Sequence, residues 1–548
     1  MLPCGLYAGG AELYDLLIEG GLVLDGTGKP AVRADVGIRG GRIAEVGDLR
    51  SPRAVRRINA QGLVVAPGFI DIHSHSDFYL LVNPTAVSKV TQGVTTEVCG
   101  NCGFSAGPIR GEHMRREFDG HLSEVEVADR WEALGEFLDL LEQRGTAVNF
   151  CTLVGQGNIR GAVIGPSSRR PDASDMARMK AEVERALDEG AIGVSSGLIY
   201  PPGCYADTDE LAEVLEPAGR RQAMYATHMR SEGSELESAV AEAIEIGRRS
   251  GARVQISHHK SCGPRNWGKV KQTLVMLDEA VSSGVEVWAD QYPYTATSTG
   301  LAALLPDWVH DGGRDAALER LTDAEACARI KGELYGDRGP GRYGGGFDAV
   351  MVAGVRSDRN RWTEGKRLTE VAEAWGTDPV SAMIRLLVEE ELSVSMCNFV
   401  ISEDDVETVM RHPRVCVGSD ASARRPDGPL GRGKPHPRSY GTFPRVLSEY
   451  VRERRVISLE EAVRKMTHLP ATILRLEGRG MLAPGCCADV VVFDPEEVRD
   501  TATYSEPHQI ARGIRCVIVN GEVAAENGRT TGAVPGKVLR LGSDGWVR

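Results

Sequence analysis

Between residues 67 and 420 the chain alternates short strand-like runs with helical patterns, and this alternation limits the fold more than any other feature. Helical patterns such as DASDMARMKAEVERALDEG and ELESAVAEAIEIGRRSG separate most of the runs. Strands that alternate with helices pair in parallel through crossover connections, and eight of them fit a closed (β/α)8 barrel of the TIM type. We therefore predict an α/β fold built on eight runs: PGFIDIHSH, GVTTEVCG, NFCTLVGQG, GAIGVSSGL, QAMYATHMR, RVQISHHK, EVWADQYPY and RVCVGSDA.

The two ends of the chain have a different pattern, with short β-like runs between Gly-Gly, Asp-Gly and Asn-Gly turns. This predicts one small β-sheet domain from residues 1–66 and 478–548, with a barrel between them at 67–477. Residues 300–400 are too long for a loop between the seventh and eighth strands, so we predict an inserted subdomain there. This region is glycine-rich, and its GRYGGG segment (341–346) is typical of a turn or flexible loop rather than a phosphate-binding loop.

Almost every predicted barrel strand ends in polar residues that a buried strand does not need. In a barrel of this type the C-terminal ends of the strands converge on one site, so residues far apart in sequence become neighbours. His73 and His75 are two residues apart and point to the same face of their strand. The full set is His73, His75, Cys102, His228, His258, His259, Lys260, Tyr292, Tyr294 and Asp420.

These residue types favour a metal site. A thiolate, imidazoles and a carboxylate are all zinc ligands, and the candidates exceed the four that one tetrahedral zinc needs. A two-metal site, or one tight and one weak site with an open position for water, therefore fits better than a closed structural site. Each residue alone also has a structural explanation, and Asp420 could be a helix N-cap. Because five separate strands supply residues of metal-ligand type, we favour a metal site over these structural explanations.

The C-x-x-C of Cys99 and Cys102 has three possible functions: a redox pair, half of a zinc knuckle, or a single ligand beside a packed thiol. No second pair stands at knuckle spacing, and GFSAGP after the pair reads as a turn rather than a helix start. We predict that Cys102 is the ligand and that Cys99 packs inside its strand.

Composition excludes several classes of partner. The formal charge of −13 argues against nucleic acid or an anionic membrane, and no stretch approaches 18 apolar residues. The N-terminal residues lack a basic region followed by an apolar one, and the twelve cysteines are irregularly spaced. A reducing cytoplasm is therefore the expected location, and the oligomeric state is left open.

Several motifs together identify a family. PGFIDIHSHSD, GVTTEVCGNCGFS, GAIGVSSGLIYPPG, YATHMRSEG, ISHHK, DQYPYTATSTGL, GSDA and PHPRSYGTFPRVL occur in an order and spacing that resemble the D-aminoacylase (N-acyl-D-amino-acid deacylase) branch of the amidohydrolase superfamily. The resemblance runs from about residue 14 to residue 530. It implies a metal-dependent hydrolase barrel with a small β-sandwich domain formed by both termini and an insertion before the last barrel strand.

The resemblance also implies roles for single residues. Cys102 would replace the carboxylated lysine that bridges two metals in related enzymes. The tight zinc would be held by Cys102, His228 and His258, and a weaker second site would be lined by His73, His75 and Asp420. Lys260, Tyr292 and Arg438 match residues that hold the substrate's α-carboxylate, and Ser298 is a further substrate-binding candidate. The loop before Arg438, at 421–437, is longer than the family pattern.

The expected reaction is zinc-dependent hydrolysis of an N-acyl-D-amino acid to a carboxylate and a free D-amino acid. This small-molecule substrate is the only partner we predict. Asp420 would take a proton from water and pass it to the leaving nitrogen. Leu301, Leu304 and Leu305 favour apolar substrate side chains. Three alternatives stay open: a cyclic-amide hydrolase of the hydantoinase type, a deacetylase for an N-acetylated biosynthetic intermediate, and a barrel that binds a ligand without catalysis.

Overall fold

The computed structural model describes residues 13–49, 52–336 and 345–548. Most of the glycine-rich segment that was predicted to be a turn or flexible loop lies outside these ranges. The first described residues form five strands: β1 (Leu13–Val23), β2 (Val32–Arg39), β3 (Arg42–Gly47), β4 (Arg53–Asn59) and β5 (Val64–Pro67).

Each of the eight predicted barrel runs contains a strand. The strands that follow β5 are β6 (Phe69–Asp71), β7 (Val94–Cys99), β8 (Asn149–Thr152), β9 (Val154–Gly155), β10 (Gly193–Gly197), β11 (Met224–His228), β12 (Arg253–Ile256), β13 (Val287–Gln291), β14 (Thr297–Gly300), β15 (Val350–Val355), β16 (Val394–Asn398) and β17 (Val415–Val417). One parallel sheet has the order β6-β7-β8, and a second has the order β9-β10-β11-β12-β13-β17. Only Leu153 separates β8 from β9, so the two sheets share the third barrel strand. The predicted α/β barrel is confirmed.

Backbone contacts between the first and last strands close the ring. Ser74 and Ala421 form a parallel bridge. The amide of Asp420 donates to the carbonyl of His73 at 2.7 Å, and the amide of His75 donates to that of Ala421 at 3.2 Å. The two ends of the barrel sequence thereby bring the H-x-H motif and the G-S-D motif into contact.

Helices cover the outside of the barrel, and their apolar positions recur at helical spacing. In the helix after β11, Leu236, Val240 and Ile244 are buried at every fourth position, whereas Arg248 and Arg249 are exposed. No helix in the described ranges is long and apolar enough to cross a membrane. The helices are α1 (Val87–Val90), α2 (Gly111–Glu124), α3 (Leu134–Arg144), α4 (Gln156–Val163), α5 (Ala173–Asp188), α6 (Thr208–Val214), α7 (Glu216–Arg220), α8 (Leu236–Ser250), α9 (Val270–Ser282), α10 (Asp307–His310), α11 (Arg314–Thr322), α12 (Ala324–Tyr335), α13 (Leu368–Ala374), α14 (Pro379–Glu389), α15 (Glu403–Arg411), α16 (Arg438–Arg445), α17 (Leu459–Met466) and α18 (His468–Leu474).

Strands from both ends of the chain share one sheet. The last four strands are β18 (Val490–Phe493), β19 (Ile514–Val519), β20 (Glu522–Glu526) and β21 (Arg529–Thr530). The sheet has the order β21-β20-β19-β18-β5-β1-β2-β3, with β4 paired to β1.

Between the seventh and eighth barrel strands, β14, β16 and β15 form a separate antiparallel sheet. The division into domains at 1–66 with 478–548, 67–477 and 300–400 stays a prediction.

A buried ion cluster lies where the barrel closes. Lys89 Nζ donates to Asp71 at 2.6 Å, to the hydroxyl of Ser419 at 2.9 Å and to the carbonyl of Ala421 at 2.7 Å. It also lies 3.4 Å from Glu97, and all these side chains are buried. Burial disfavours the charged amine, but Asp71 and Glu97 outweigh it and raise the pKa of Lys89. One ammonium group thus joins the first, second and eighth strands.

Replacing Lys89 by methionine tests this cluster. Lys89→Met leaves the carboxylates of Asp71 and Glu97 buried without their cation, so we expect a loss of about 3–5 kcal/mol in the free energy of unfolding. Urea denaturation followed by tryptophan fluorescence measures it. Lys331→Met, which removes a half-exposed ion pair with Asp378, is the matched control and is expected to change the same quantity by no more than about 1 kcal/mol. Equal urea midpoints for the two variants would contradict the structural role of Lys89.

Candidate metal centre and substrate site

The structure brings the six predicted metal ligands together at the C-terminal ends of the barrel strands. Three of them have the positive φ that residues other than glycine rarely adopt: 54° at Cys102, 37° at His258 and 52° at Asp420. Such backbone conformations cluster at functional sites, where the surrounding fold imposes them. The set follows or ends five strands: His73 and His75 after β6, Cys102 after β7, His228 at the end of β11, His258 after β12 and Asp420 after β17.

The six side chains form two groups that share one atom. His73, His75, Cys102 and Asp420 have ligand atoms within 4.8 Å of one another, and so do Cys102, His228 and His258. The Cys102 Sγ lies 3.4 Å from Nε2 of His73 and 3.5 Å from Nε2 of His258. The sulfur therefore stands between the two groups, as a ligand that bridges two positions would.

The two cysteines of the C-x-x-C have opposite environments. Neither forms a disulfide. Cys99 is buried in β7, and burial raises the pKa of its thiol well above the ordinary value. Burial would do the same at Cys102, but the imidazoles of His73 and His258 lower the pKa of that thiol well below the ordinary value. Of the two cysteines, Cys102 is therefore the one whose surroundings favour the thiolate that metal binding requires.

His228 gives the clearest sign that this site is built to hold a group. Its ring is buried, and neither Nδ1 nor Nε2 makes a hydrogen bond. Glu232 lies 3.9 Å from Nε2, too far for a hydrogen bond, and because buried polar atoms are nearly always paired, this imidazole calls for a ligand. Burial lowers the pKa of His228, which favours the neutral ring that coordinates a metal. The donors of Cys102, His228 and His258 match the sulfur and nitrogen preference of zinc.

Two buried carboxylates orient the imidazoles, and neither was predicted from the sequence. Nδ1 of His73 lies 3.3 Å from Asp290, and Nδ1 of His258 lies 2.9 Å from Glu232. Each contact turns Nε2 of its ring toward Cys102, an arrangement common around bound metals. The signal for Asp290 was an acid inside a barrel strand, two residues before Tyr292. The signal for Glu232 was its spacing of four residues from His228.

Arg438, predicted to hold a carboxylate, lies against Asp420. Its Nη1 is 2.9 Å from Oδ2 of Asp420 without the directionality of a hydrogen bond. Its Nη2 donates to the carbonyl of Ser298 at 3.1 Å, and the guanidinium lies 4.6 Å from the ring centroid of Tyr292. Ser298 thus contributes its backbone oxygen to the position of Arg438.

Lys260 and Tyr292 complete this side of the site. Lys260 Nζ donates to Glu232 at 2.5 Å and lies 5.5 Å from the ring centroid of Tyr292. Burial opposes ionisation of Glu232, but Lys260 and His258 lower the pKa of this carboxyl well below its usual range. The hydroxyl of Tyr292 is buried and makes no hydrogen bond. Lys260 and Arg438 therefore both lie over the ring of Tyr292, and Ser298 joins them through its hydrogen bond with Arg438.

Residues from the C-terminal segment support the long loop 421–437. His436 accepts from the amide of Arg438 at 3.0 Å, and its other ring nitrogen lies 3.2 Å from the hydroxyl of Tyr504. His508 contacts the carbonyl of Gly433 at 3.0 Å. These contacts were not predicted, because nothing in the sequence links residues 504–508 to this loop.

The leucines proposed to meet a substrate side chain lie directly after β14. Leu301, Leu304 and Leu305 are buried members of the main hydrophobic core. Their contact with substrate stays a prediction.

Comparison with known proteins gives a family. The profile of the Amidohydrolase family matches residues 56–525. The D-aminoacylase of Alcaligenes xylosoxydans xylosoxydans is 37% identical over 529 residues, which cover 96% of this chain and 98% of that protein. The N-acyl-D-glutamate deacylase of the same organism is 36% identical over 529 residues, covering 96% of this chain and 97% of that protein.

A solved structure is similar over 96% of this chain. The N-acyl-D-glutamate deacylase from Bordetella bronchiseptica, complexed with zinc and a phosphonate inhibitor, has a TM-score of 0.80 and 35% identity, covering 96% of this chain and 100% of that one. The resemblance stated from the motifs is confirmed. This chain belongs to the amidohydrolase family, in the branch that contains the D-aminoacylases.

Proposed function

We propose that this protein hydrolyses the amide bond of N-acyl-D-amino acids and releases a carboxylate and a free D-amino acid. The observation that carries the proposal is the contact of Arg438 with Asp420, which joins a carboxylate-binding cation to the metal-ligand cluster. The relatives described above act on N-acyl-D-amino acids by name. This favours the reaction over cyclic-amide hydrolysis, deacetylation of a biosynthetic intermediate, or ligand binding alone.

The residues that would hold zinc divide into the two groups described above. Cys102, His228 and His258 would hold the tight ion, while His73, His75 and Asp420 would line a weaker position that also includes Cys102. When bound, zinc supplies a Lewis acid that polarises the acyl carbonyl and lowers the pKa of water. The unpaired nitrogens of His228 support this assignment.

Asp420 is the proposed proton carrier. Its carboxylate lies at the junction of the metal-ligand cluster and the substrate residues, 3.0 Å from Nε2 of His75. Burial opposes its ionisation, but Arg438 and then His258 lower the pKa of this carboxyl well below its usual value. Asp420 would accept one proton from the attacking water and donate it to the amide nitrogen as the C–N bond breaks.

The substrate's α-carboxylate would bind between Arg438, Lys260 and Tyr292. Arg438 offers a planar pair of donors, Lys260 a point charge and Tyr292 a directional hydroxyl. In a buried site each such contact to a charged group is worth about 1.5–3 kcal/mol. Fixing the carboxylate, the acyl carbonyl and the side chain at once selects one enantiomer at Cα, and the D preference comes from the relatives.

Location and partners are proposed from the composition. The negative charge and the absence of long apolar runs support a cytoplasmic protein with no nucleic-acid or membrane partner, acting on small N-acyl amino acids.

The proposed reaction is tested with a panel of N-acetyl-D- and N-acetyl-L-amino acids. We expect the D forms to be hydrolysed with a kcat/KM about 10- to 100-fold above their L forms, since misplacing one of three contacts costs about 1.5–3 kcal/mol. Amine release measured with ninhydrin gives the rates. Asp420→Asn, purified in parallel, should release no amine and thereby excludes a contaminating hydrolase. Equal rates on both enantiomers would contradict the proposal.

The same panel tests side-chain preference. STGLAALLPDWV (298–309), which includes Leu301, Leu304 and Leu305, contains no lysine or arginine. If it contacts the side chain, an acidic substrate would bury a charge without a partner there. We expect D-leucine, D-methionine and D-phenylalanine derivatives to have a higher kcat/KM than those of D-aspartate or D-glutamate. A preference for acidic derivatives would exclude this segment as the selecting surface.

Metal content tests the assigned ligands independently of activity. We expect Cys102→Ser to lose the tightly held zinc, because a hydroxyl is a poor replacement for a thiolate as a zinc ligand. Cys99→Ser is the matched control and should retain it, since Cys99 packs inside β7. Elemental analysis after dialysis, with circular dichroism to verify folding, gives the comparison. The same zinc content in both variants would remove Cys102 from the ligand set.

A further inference from the structure

We propose that the guanidinium of Arg438 pairs with the carboxylate of Asp420 in the substrate-free enzyme, and that the α-carboxylate of the substrate draws the guanidinium away. The carboxylate would then do two things: fix the substrate, and free the oxygen of Asp420 that accepts the proton of water. This inference rests on the proposed function, and it assigns to the substrate a part in preparing its own hydrolysis.

The contacts of Asp420 are the first support. Its Oδ1 lies 3.0 Å from Nε2 of His75 and 3.5 Å from Nε2 of His73, so this oxygen belongs to the cluster of predicted ligands. Its Oδ2 lies 2.9 Å from Nη1 of Arg438. The imidazoles engage Oδ1, so Oδ2 is the oxygen available for proton transfer. The guanidinium of Arg438 covers this Oδ2.

Unsatisfied donors beside this contact are the second support. Nη1 of Arg438 and the hydroxyl of Tyr292 are both buried, and neither makes a hydrogen bond. Two unsatisfied donors this close together indicate a site that is completed by an acceptor. A carboxylate bound there would satisfy both, which the lateral contact with Asp420 does not.

The surroundings of Arg438 allow a short displacement. The guanidinium lies over the face of the Tyr292 ring at 4.6 Å, and the attraction between a cation and a ring face tolerates lateral shifts. Within the described residues its side chain has one hydrogen bond to a neutral group, the carbonyl of Ser298. Moving Nη1 from Asp420 to a substrate carboxylate exchanges one ion pair for another, and Asp420 keeps its contacts with His75 and His73.

Anchoring by Arg438 and withdrawal of Arg438 lead to different kinetics on an amide without a carboxylate. If Arg438 only anchors, such a substrate binds weakly but reacts normally once bound, and KM alone changes. If Arg438 must first move away, Asp420 stays paired with Arg438 when such an amide binds. The bound amide then reacts slowly, so kcat falls as well.

The first experiment supplies the carboxylate separately. N-(3-methylbutyl)acetamide, which is N-acetylleucine without its carboxylate, is hydrolysed by the zinc-loaded enzyme in the presence of added formate, with chloride balancing the ionic strength. We expect formate to raise kcat on this amide about tenfold. N-acetyl-D-leucine is the matched control: it carries its own carboxylate, so formate should not raise its rate.

The variant Arg438→Met distinguishes two possible roles of Arg438: covering Asp420 until the substrate binds, and holding Asp420 in position. Without the guanidinium, Asp420 is already uncovered, so we expect the variant to exceed the wild type on the carboxylate-free amide and to show no response to formate. Its KM for N-acetyl-D-leucine should rise. A loss of kcat by the same factor on both substrates would mean that Arg438 holds Asp420 in place, and it would overturn the inference.

A binding measurement gives a readout that does not depend on turnover. With zinc content matched, calorimetry with N-methylsulfonyl-D-leucine compares wild type, Asp420→Asn and Asp290→Asn. We expect tighter binding in Asp420→Asn alone, because Asp420 competes for Arg438, whereas Asp290 is a buried acid of the same site that contacts His73 instead. Equal tightening in both variants would show a general charge effect and contradict the inference.

The outcomes distinguish this inference from the function on which it rests. Turnover of N-acetyl-D-leucine with no activation of the amide by formate would overturn the withdrawal of Arg438 and leave the proposed function intact. No turnover of any N-acetyl-D-amino acid would remove the proposed function, and this inference with it.

Discussion

The position of the Cys102 sulfur between two imidazoles is the interaction on which the rest of the site depends. His73 and His258 approach it from different barrel strands, at 3.4 and 3.5 Å. Their Nε2 atoms face the sulfur because Asp290 and Glu232 engage the opposite ring nitrogens. Burial alone would keep this thiol protonated, and the imidazoles beside it lower its pKa and so favour the thiolate.

That position requires the first and last barrel strands to meet. The backbone closes the ring at Ser74 and Ala421, and Lys89 reinforces it from within by binding Asp71, Ser419 and the carbonyl of Ala421. Of the residues that Lys89 contacts, Asp71 lies two positions before His73, and Ser419 and Ala421 lie on either side of Asp420. One buried cation therefore stabilises the closure and fixes the backbone that carries the predicted ligands.

Much of this was accessible from the sequence, because strand ends in a barrel converge and ligand residues at those ends stand out. Asp290 and Glu232 were missed because a single sequence does not distinguish a buried acid from an exposed one. The contact of Arg438 with Asp420 was not predictable either: 17 residues, of which only Pro429–Gly431 form a short helix, separate the two. Tyr504 and His508, which support that loop, come from a segment whose path no local pattern reveals.

The contact of Arg438 with Asp420 bears on why a hydrolase would recognise a group distant from the scissile bond. Interactions that strengthen substrate and transition state equally lower KM without raising kcat. A carboxylate that also uncovers the base converts part of its binding energy into rate, because the reactive arrangement exists only while the correct substrate is present. Amides that lack the carboxylate are then rejected at the chemical step as well as at binding. Selectivity for amino-acid derivatives would follow from one guanidinium shared between two carboxylates.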